Sequence, residues 1–177
     1  MIAATIGCAA LPPAVPASVP SVPMPVNYGD DNPLARRAFY VDPATTVAAA
    51  AAASAPPSNE LSAIAQVPQA RWIGSDIASR DVAVYVNSFV TAAQSVDQMP
   101  LLTVYAIPGR DCGGYAAGGF ATGEEYRQWI DQVANGIGDA PVGIVLEPDA
   151  LSGADCLSAP QRQEPAPRHV RRLAIRL

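Results

Sequence analysis

Two short acidic blocks, Arg110-Asp111-Cys112 and Glu147-Pro148-Asp149, carry the residue types from which hydrolytic chemistry can be built. Carboxylates brought to one rim can divide the work, one acting as acid and the other as base or electrostatic partner. The same residues also have plainer uses, with Asp111 pairing with Arg110 or closing a turn and Asp149 capping a helix. The rest of the chain narrows the chemistry. One His, His169, and three Cys, at 8, 112 and 156, make no metal-ligand cluster, and a Ser-His-Asp triad would need that single His. There is no Lys, hence no phosphate loop of the lysine type, and Gly113, Gly114, Gly118, Gly119 and Gly123 do not form a dinucleotide fingerprint directly after a strand. They give instead a stretch of little side-chain bulk, suited to a lid or to cradling an anion.

For the two blocks to act together, the elements before them must end at a common rim. Asp42-Pro43 and the Ala-rich residues 44–55 predict a helix with Pro in its first turn, stopped by Pro56-Pro57. Ser58 or Asn59 caps a second helix that runs through Gln66. Residues 70–74 (ARWIG) predict a strand. Over 80–96 the spacing of Val82, Tyr85, Val86, Phe89, Val90 and Ala93 makes one apolar helical face. Residues 101–107 (LLTVYAI) are a second strand, followed by the glycine loop at 108–123. Helix 124–137 then carries Tyr126, Trp129, Ile130 and Val133 inward, and 142–147 (VGIVLE) is the third strand. This β-α-β-α-β order with nearly continuous apolar strands predicts an α/β fold with a parallel sheet covered by helices. Active sites of such sheets lie at the C-terminal ends of the strands, where both acidic blocks fall. The three units span 70–147, less than half of the roughly 250 residues that a closed eight-unit barrel takes.

The flanks differ from this body. Residues 1–33 hold seven of the 18 Pro and read as a disordered, extended tether. Residues 1–11 are apolar like the core of an export signal yet lack a basic start, which leaves a truncated signal and a plain terminus both open. Residues 165–177 carry four Arg and no acid, whereas residues 1–164 hold all 16 acids, so the tail reads as a basic surface helix or a frame-shifted end. A net charge of −5 with no Lys opposes nucleic-acid binding. Mean hydropathy is only +0.15, and no run approaches 18 apolar residues, which opposes a membrane span.

The blocks NPLARRAFYVDP (32–43), PQARWIG (68–74), LLTVYAIPGRDCGGYAAGG (101–119), YRQWI (126–130) and VGIVLEPDAL (142–151) resemble glycoside hydrolase family six, the cellobiohydrolases and endo-β-1,4-glucanases, most of all its actinobacterial members. The resemblance covers 32 to about 164 and implies a distorted, TIM-like parallel barrel, of which this chain holds a partial one of about three β/α units. It implies hydrolysis of β-1,4-glucan (cellulose) by an inverting mechanism with no cofactor and no metal. On the matching positions, Asp149 is the proton donor and Asp111 its electrostatic partner. Tyr105 lies beside the distorted sugar ring, and Trp72, which could otherwise be core, stacks a glucosyl unit. The family commonly bridges the positions of Cys112 and Cys156, leaving Cys8 unpaired. Ala117 stands where many members carry Ser, and the base comes from the second half of the barrel, so a second chain carrying the rest of it is an expected partner. The domains are then a tether at 1–33, the catalytic part at 34–164 and the tail at 165–177, in a secreted or cell-envelope protein. The alternative is a non-catalytic remnant of a split or frame-shifted gene, at most a weak glucan binder.

Overall fold

The computed structural model describes Leu34 and residues 37–156. The expectations for the tether, Cys8, His169 and the basic tail lie outside the described residues.

Helix α1 is Thr46–Ala53 and α2 is Asn59–Ala65, and neither buries a residue. The predicted start of α1 is corrected: Thr45, not Asp42, caps it, accepting from the Ala48 N–H at 3.2 Å. Asp42 is engaged elsewhere, because its carboxylate accepts from the Ala44 N–H and pairs with Arg71, whose guanidinium lies 4.2 Å from the Phe89 ring centroid. The Ser58 hydroxyl caps α2, accepting from the Leu61 N–H.

Strand β1 is Arg71–Gly74, β2 Leu101–Tyr105 and β3 Gly143–Leu146. They pair in parallel in the order β1-β2-β3, so each strand neighbours the next in sequence and the rows Ile73-Val104-Leu146 and Trp72-Thr103-Val145 run across the sheet. Helices α3 (Ser79–Gln94) and α4 (Gly123–Ile137) are the two crossovers. Parallel crossovers share one hand, which sets both helices on one face of a sheet built in this order.

The core forms there. Val82, Val86, Phe89, Val90 and Ala93 of α3 meet Tyr126, Trp129, Ile130, Val133 and Ile137 of α4 over Ile73, Leu102 and Val104. Each large aliphatic removed from water stabilises the fold by roughly 1.5–3 kcal/mol. The helices approach closely at Gly136, where an added Cβ would stand 2.5 Å from the Ala83 carbonyl oxygen. A reciprocal capping box, Thr122 with Glu125, starts α4. Tyr85 departs from its predicted face: it is exposed, 5.5 Å from the Arg71 guanidinium, because its position falls at the margin of the apolar stripe. On the sheet face away from the helices, Trp72 and Val145 are exposed at 61% and 49%.

Candidate active site

Both acidic blocks follow strands that are neighbours in the sheet, and both leave their strands through left-handed backbone. Among the described residues five non-glycines have positive φ, and four of them are here: Asp111 (59°), Cys112 (49°), Glu147 (46°) and Asp149 (68°). Such conformations cost on the order of 1 kcal/mol or more each and persist where surrounding contacts over-determine them. The result is a cleft of about 280 Å³ at the C-terminal ends of β2 and β3, lined among others by Tyr105, Ile107, Arg110, Asp111, Pro148 and Asp149.

Each side chain has an identifiable constraint. Asp111 accepts from the Ala116 N–H at 2.6 Å, and Arg110 does not pair with it. The Arg110 guanidinium donates instead to the carbonyls of Tyr105 and Ala116, and stands 4.8 Å from the Tyr105 ring centroid. These bonds, with the Phe120 N–H donating to the Ala106 carbonyl, tie the glycine loop to the end of β2. Asp149 does not cap a helix through its side chain; its carbonyl accepts from the Gly153 N–H and the Ser152 hydroxyl. The Tyr105 hydroxyl is held above the ordinary phenol range, first by desolvation and then by the charges of Asp111 and Asp149, with Arg110 opposing. Trp72 meets Tyr105 edge to face at 5.8 Å between ring centroids. Trp72 is exposed and lies outside the core that packs under α3 and α4.

Cys112 and Cys156 form a disulfide that joins the loops following the two acidic blocks. It closes a separation of 44 residues. In the chain-entropy account a loop of that length stabilises by about 4 kcal/mol. Paired Cys112→Ser and Cys156→Ser substitutions are therefore expected to lower unfolding free energy by about that amount, read as a fall in the denaturant midpoint. Thiol counting on the denatured, unreduced chain should find one free thiol, Cys8; three would contradict the bridge.

Glu147 is the residue whose role the sequence did not reveal. It is 7% exposed, and its carboxylate accepts the Ala106 N–H at 3.0 and 2.9 Å, the Ile107 N–H at 3.0 Å and the Tyr126 hydroxyl. Burial raises its pKa above the usual value, against the backbone donors, Tyr126 and Arg110, which lower it. A carboxyl that binds its proton more tightly when folded contributes stability that is full below the unfolded pKa near 4.5 and is lost as pH rises through the folded value. In Glu147→Gln the decline of unfolding free energy above pH 4.5 should flatten, measured by denaturant titration at several pH values; an unchanged slope would assign the decline to other groups.

Among the described residues no group of three His, Cys, Asp or Glu is placed to hold a metal ion, and no helix is long and apolar enough to cross a membrane.

A parallel α/β sheet thus carries at its C-terminal rim a cleft lined by Asp111, Asp149 and the half-buried Tyr105, with the exposed Trp72 packed edge to face on Tyr105 beside it. Residues 34–172 match the sequence profile of glycosyl hydrolases family 6. Endoglucanase A of Thermobispora bispora is 36% identical over 170 residues, 93% of this chain and 34% of the relative. Endoglucanase A of Cellulomonas fimi is 39% identical over 126 residues, 70% of this chain and 28% of the relative. The endoglucanase Cel6 of Mycobacterium tuberculosis was solved in complex with methyl-cellobiosyl-4-deoxy-4-thio-β-D-cellobioside. It is 52% identical and superposes with a TM-score of 0.73, covering 75% of this chain and 45% of that one. The chain belongs to glycosyl hydrolases family 6, and it spans about a third of the length of these two curated relatives.

Proposed function

We propose that the chain supplies the acid-bearing wall of an inverting β-1,4-glucanase cleft. Asp149 protonates the leaving glycosidic oxygen, and Asp111 stabilises the positive charge that develops on the sugar ring. Trp72 and Tyr105 offer aromatic faces to the C–H surface of glucosyl units. The observation that carries this reading is that Asp111 and Asp149, from adjacent strands, line the same cleft. The cello-oligosaccharide analogue bound by the M. tuberculosis relative supports β-1,4-glucan as substrate class. An inverting enzyme needs a second group across a water-sized gap from the acid. We assign that group to a wall supplied by further barrel strands beyond the three described. The disulfide favours an oxidising compartment, in keeping with secretion.

The test is hydrolysis of a soluble β-glucan by the purified 177-residue chain, alone and mixed with a chain encoding the remaining strands, with the first-formed anomer read by proton NMR. No release above background by the lone chain, and α-anomer release by the mixture, is the expected result. Robust turnover by the lone chain would overturn the need for a second wall, and a β-anomer first product would overturn inversion.

A further inference from the structure

We propose that Glu147 is the positioning residue for Asp149: the reach of its side chain to the end of β2 holds the turn that presents Asp149 to the cleft. This inference rests on the reading of Asp149 as the acid. Glu147 directly follows β3, and its N–H donates to the Val104 carbonyl at 2.8 Å, extending the parallel ladder by one bond. Its side chain then crosses to the next two residues of the neighbouring segment, accepting from Ala106 and Ile107. Backbone and side chain of one residue thus fasten the end of β3 to the end of β2, and α4 adds the Tyr126 hydroxyl from the core side.

The fastening has a direct consequence at the cleft. Ile107 leads through Pro108 and Gly109 into Arg110-Asp111, while Glu147 leads through Pro148 into Asp149, so the staple sits at the root of both acidic blocks. The Glu147 carbonyl accepts from the Ala150 N–H, and the Asp149 carbonyl from the Gly153 N–H, which makes the Asp149 turn a direct continuation of the fastened residue. Left-handed backbone at both Glu147 and Asp149 requires external restraint, since neither has the freedom of glycine. The charged or titratable groups that act on Glu147 or feel its charge are Tyr126 from α4, Arg110 from the loop and Tyr105 from β2. What fixes the turn is the span of the side chain to two N–H groups rather than its charge.

Two variants of the full chain separate these properties. Glu147→Asp keeps the charge but shortens the reach by one methylene, and Glu147→Gln keeps the reach without the charge. The readout is amide hydrogen exchange by NMR at Ala150 and Gly153, compared with Val86 and Val133 in the core. In Glu147→Asp, exchange at Ala150 and Gly153 should rise by about tenfold while Val86 and Val133 stay within about twofold; in Glu147→Gln all four should stay within about threefold of the unsubstituted chain. Unchanged exchange in Glu147→Asp, an equal rise at core and turn, an equal effect of both variants, or failure of Glu147→Asp to fold would each overturn the inference. The measurement needs no turnover. The expected exchange pattern without glucan hydrolysis by any form of the protein would sink the glucanase reading and leave the fastening of the Asp149 turn intact.

Discussion

Asp149→Asn is expected to slow hydrolysis of β-glucan by about 10²- to 10⁴-fold in the assembled enzyme, with binding of the glucan nearly unchanged. The amide has the shape of the acid but no proton to give, so the leaving sugar must depart as an alkoxide. The penalty depends on the leaving group. An activated aryl cellobioside leaves as a stable phenolate and gains little from protonation, so the loss on that substrate should be far smaller than on glucan. Equal losses on both substrates, or none on either, would remove Asp149 from the acid's role. Asp111→Asn separates the two carboxylates: its loss should persist on the activated substrate, because stabilising the charge on the ring is needed whatever the leaving group.

Gly119→Ala is expected to be the most damaging small substitution in the loop. Gly119 has φ of +85°, and a Cβ there would stand 2.0 Å from the Ile107 carbonyl oxygen, with further backbone of Ile107 and Ala106 inside 3 Å. No rotamer relieves a backbone overlap. Ile107 cannot yield easily either, because its N–H is held by Glu147. The left-handed conformation alone costs a non-glycine residue roughly 1–2 kcal/mol, and the overlap brings the expected loss to at least about 3 kcal/mol. Gly113→Ala is the internal control. Gly113 has φ of +87° but nothing within 4 Å of an added Cβ, so it should lose only the conformational part. Denaturant midpoints of the two variants decide the matter; equal shifts would show that the close approach at Gly119 carries no weight.

These expectations differ in how early they could be reached. The parallel α/β order was legible because its signals are local. The apolar residues of α3 and α4 recur at three and four, the strands are short apolar runs, and Pro and Gly mark the breaks. The strand order β1-β2-β3 is read from the pairing of the folded sheet. The candidate acids were legible from where they fall, at the ends of two successive strands, and the family resemblance assigned them roles that remain to be tested.

Other features had no local signal. Tyr85 sits at the edge of a helical stripe, and whether it is covered depends on where Arg71 and α3 meet. Asp42 precedes a proline in a sequence typical of a helix start, yet an arginine 29 residues away recruits it, and Thr45 becomes the cap. The glycine loop reads as a lid by composition, but Gly119 is placed for a close backbone approach that only the packed end of β2 creates.

Glu147 shows the division most plainly. By residue type it belonged with the surface acids beside it, since ionised carboxylates are seldom buried. Its burial is decided by two N–H groups that β2 leaves unpaired about 40 residues earlier in the chain, and by a phenol from the core face of α4. Periodicity and turn chemistry in the sequence determined which segments form and where the acids fall along them. Only the tertiary structure decided which of those acids faces the cleft and which is spent holding it, because the donors that make the difference become neighbours only once the strands are side by side.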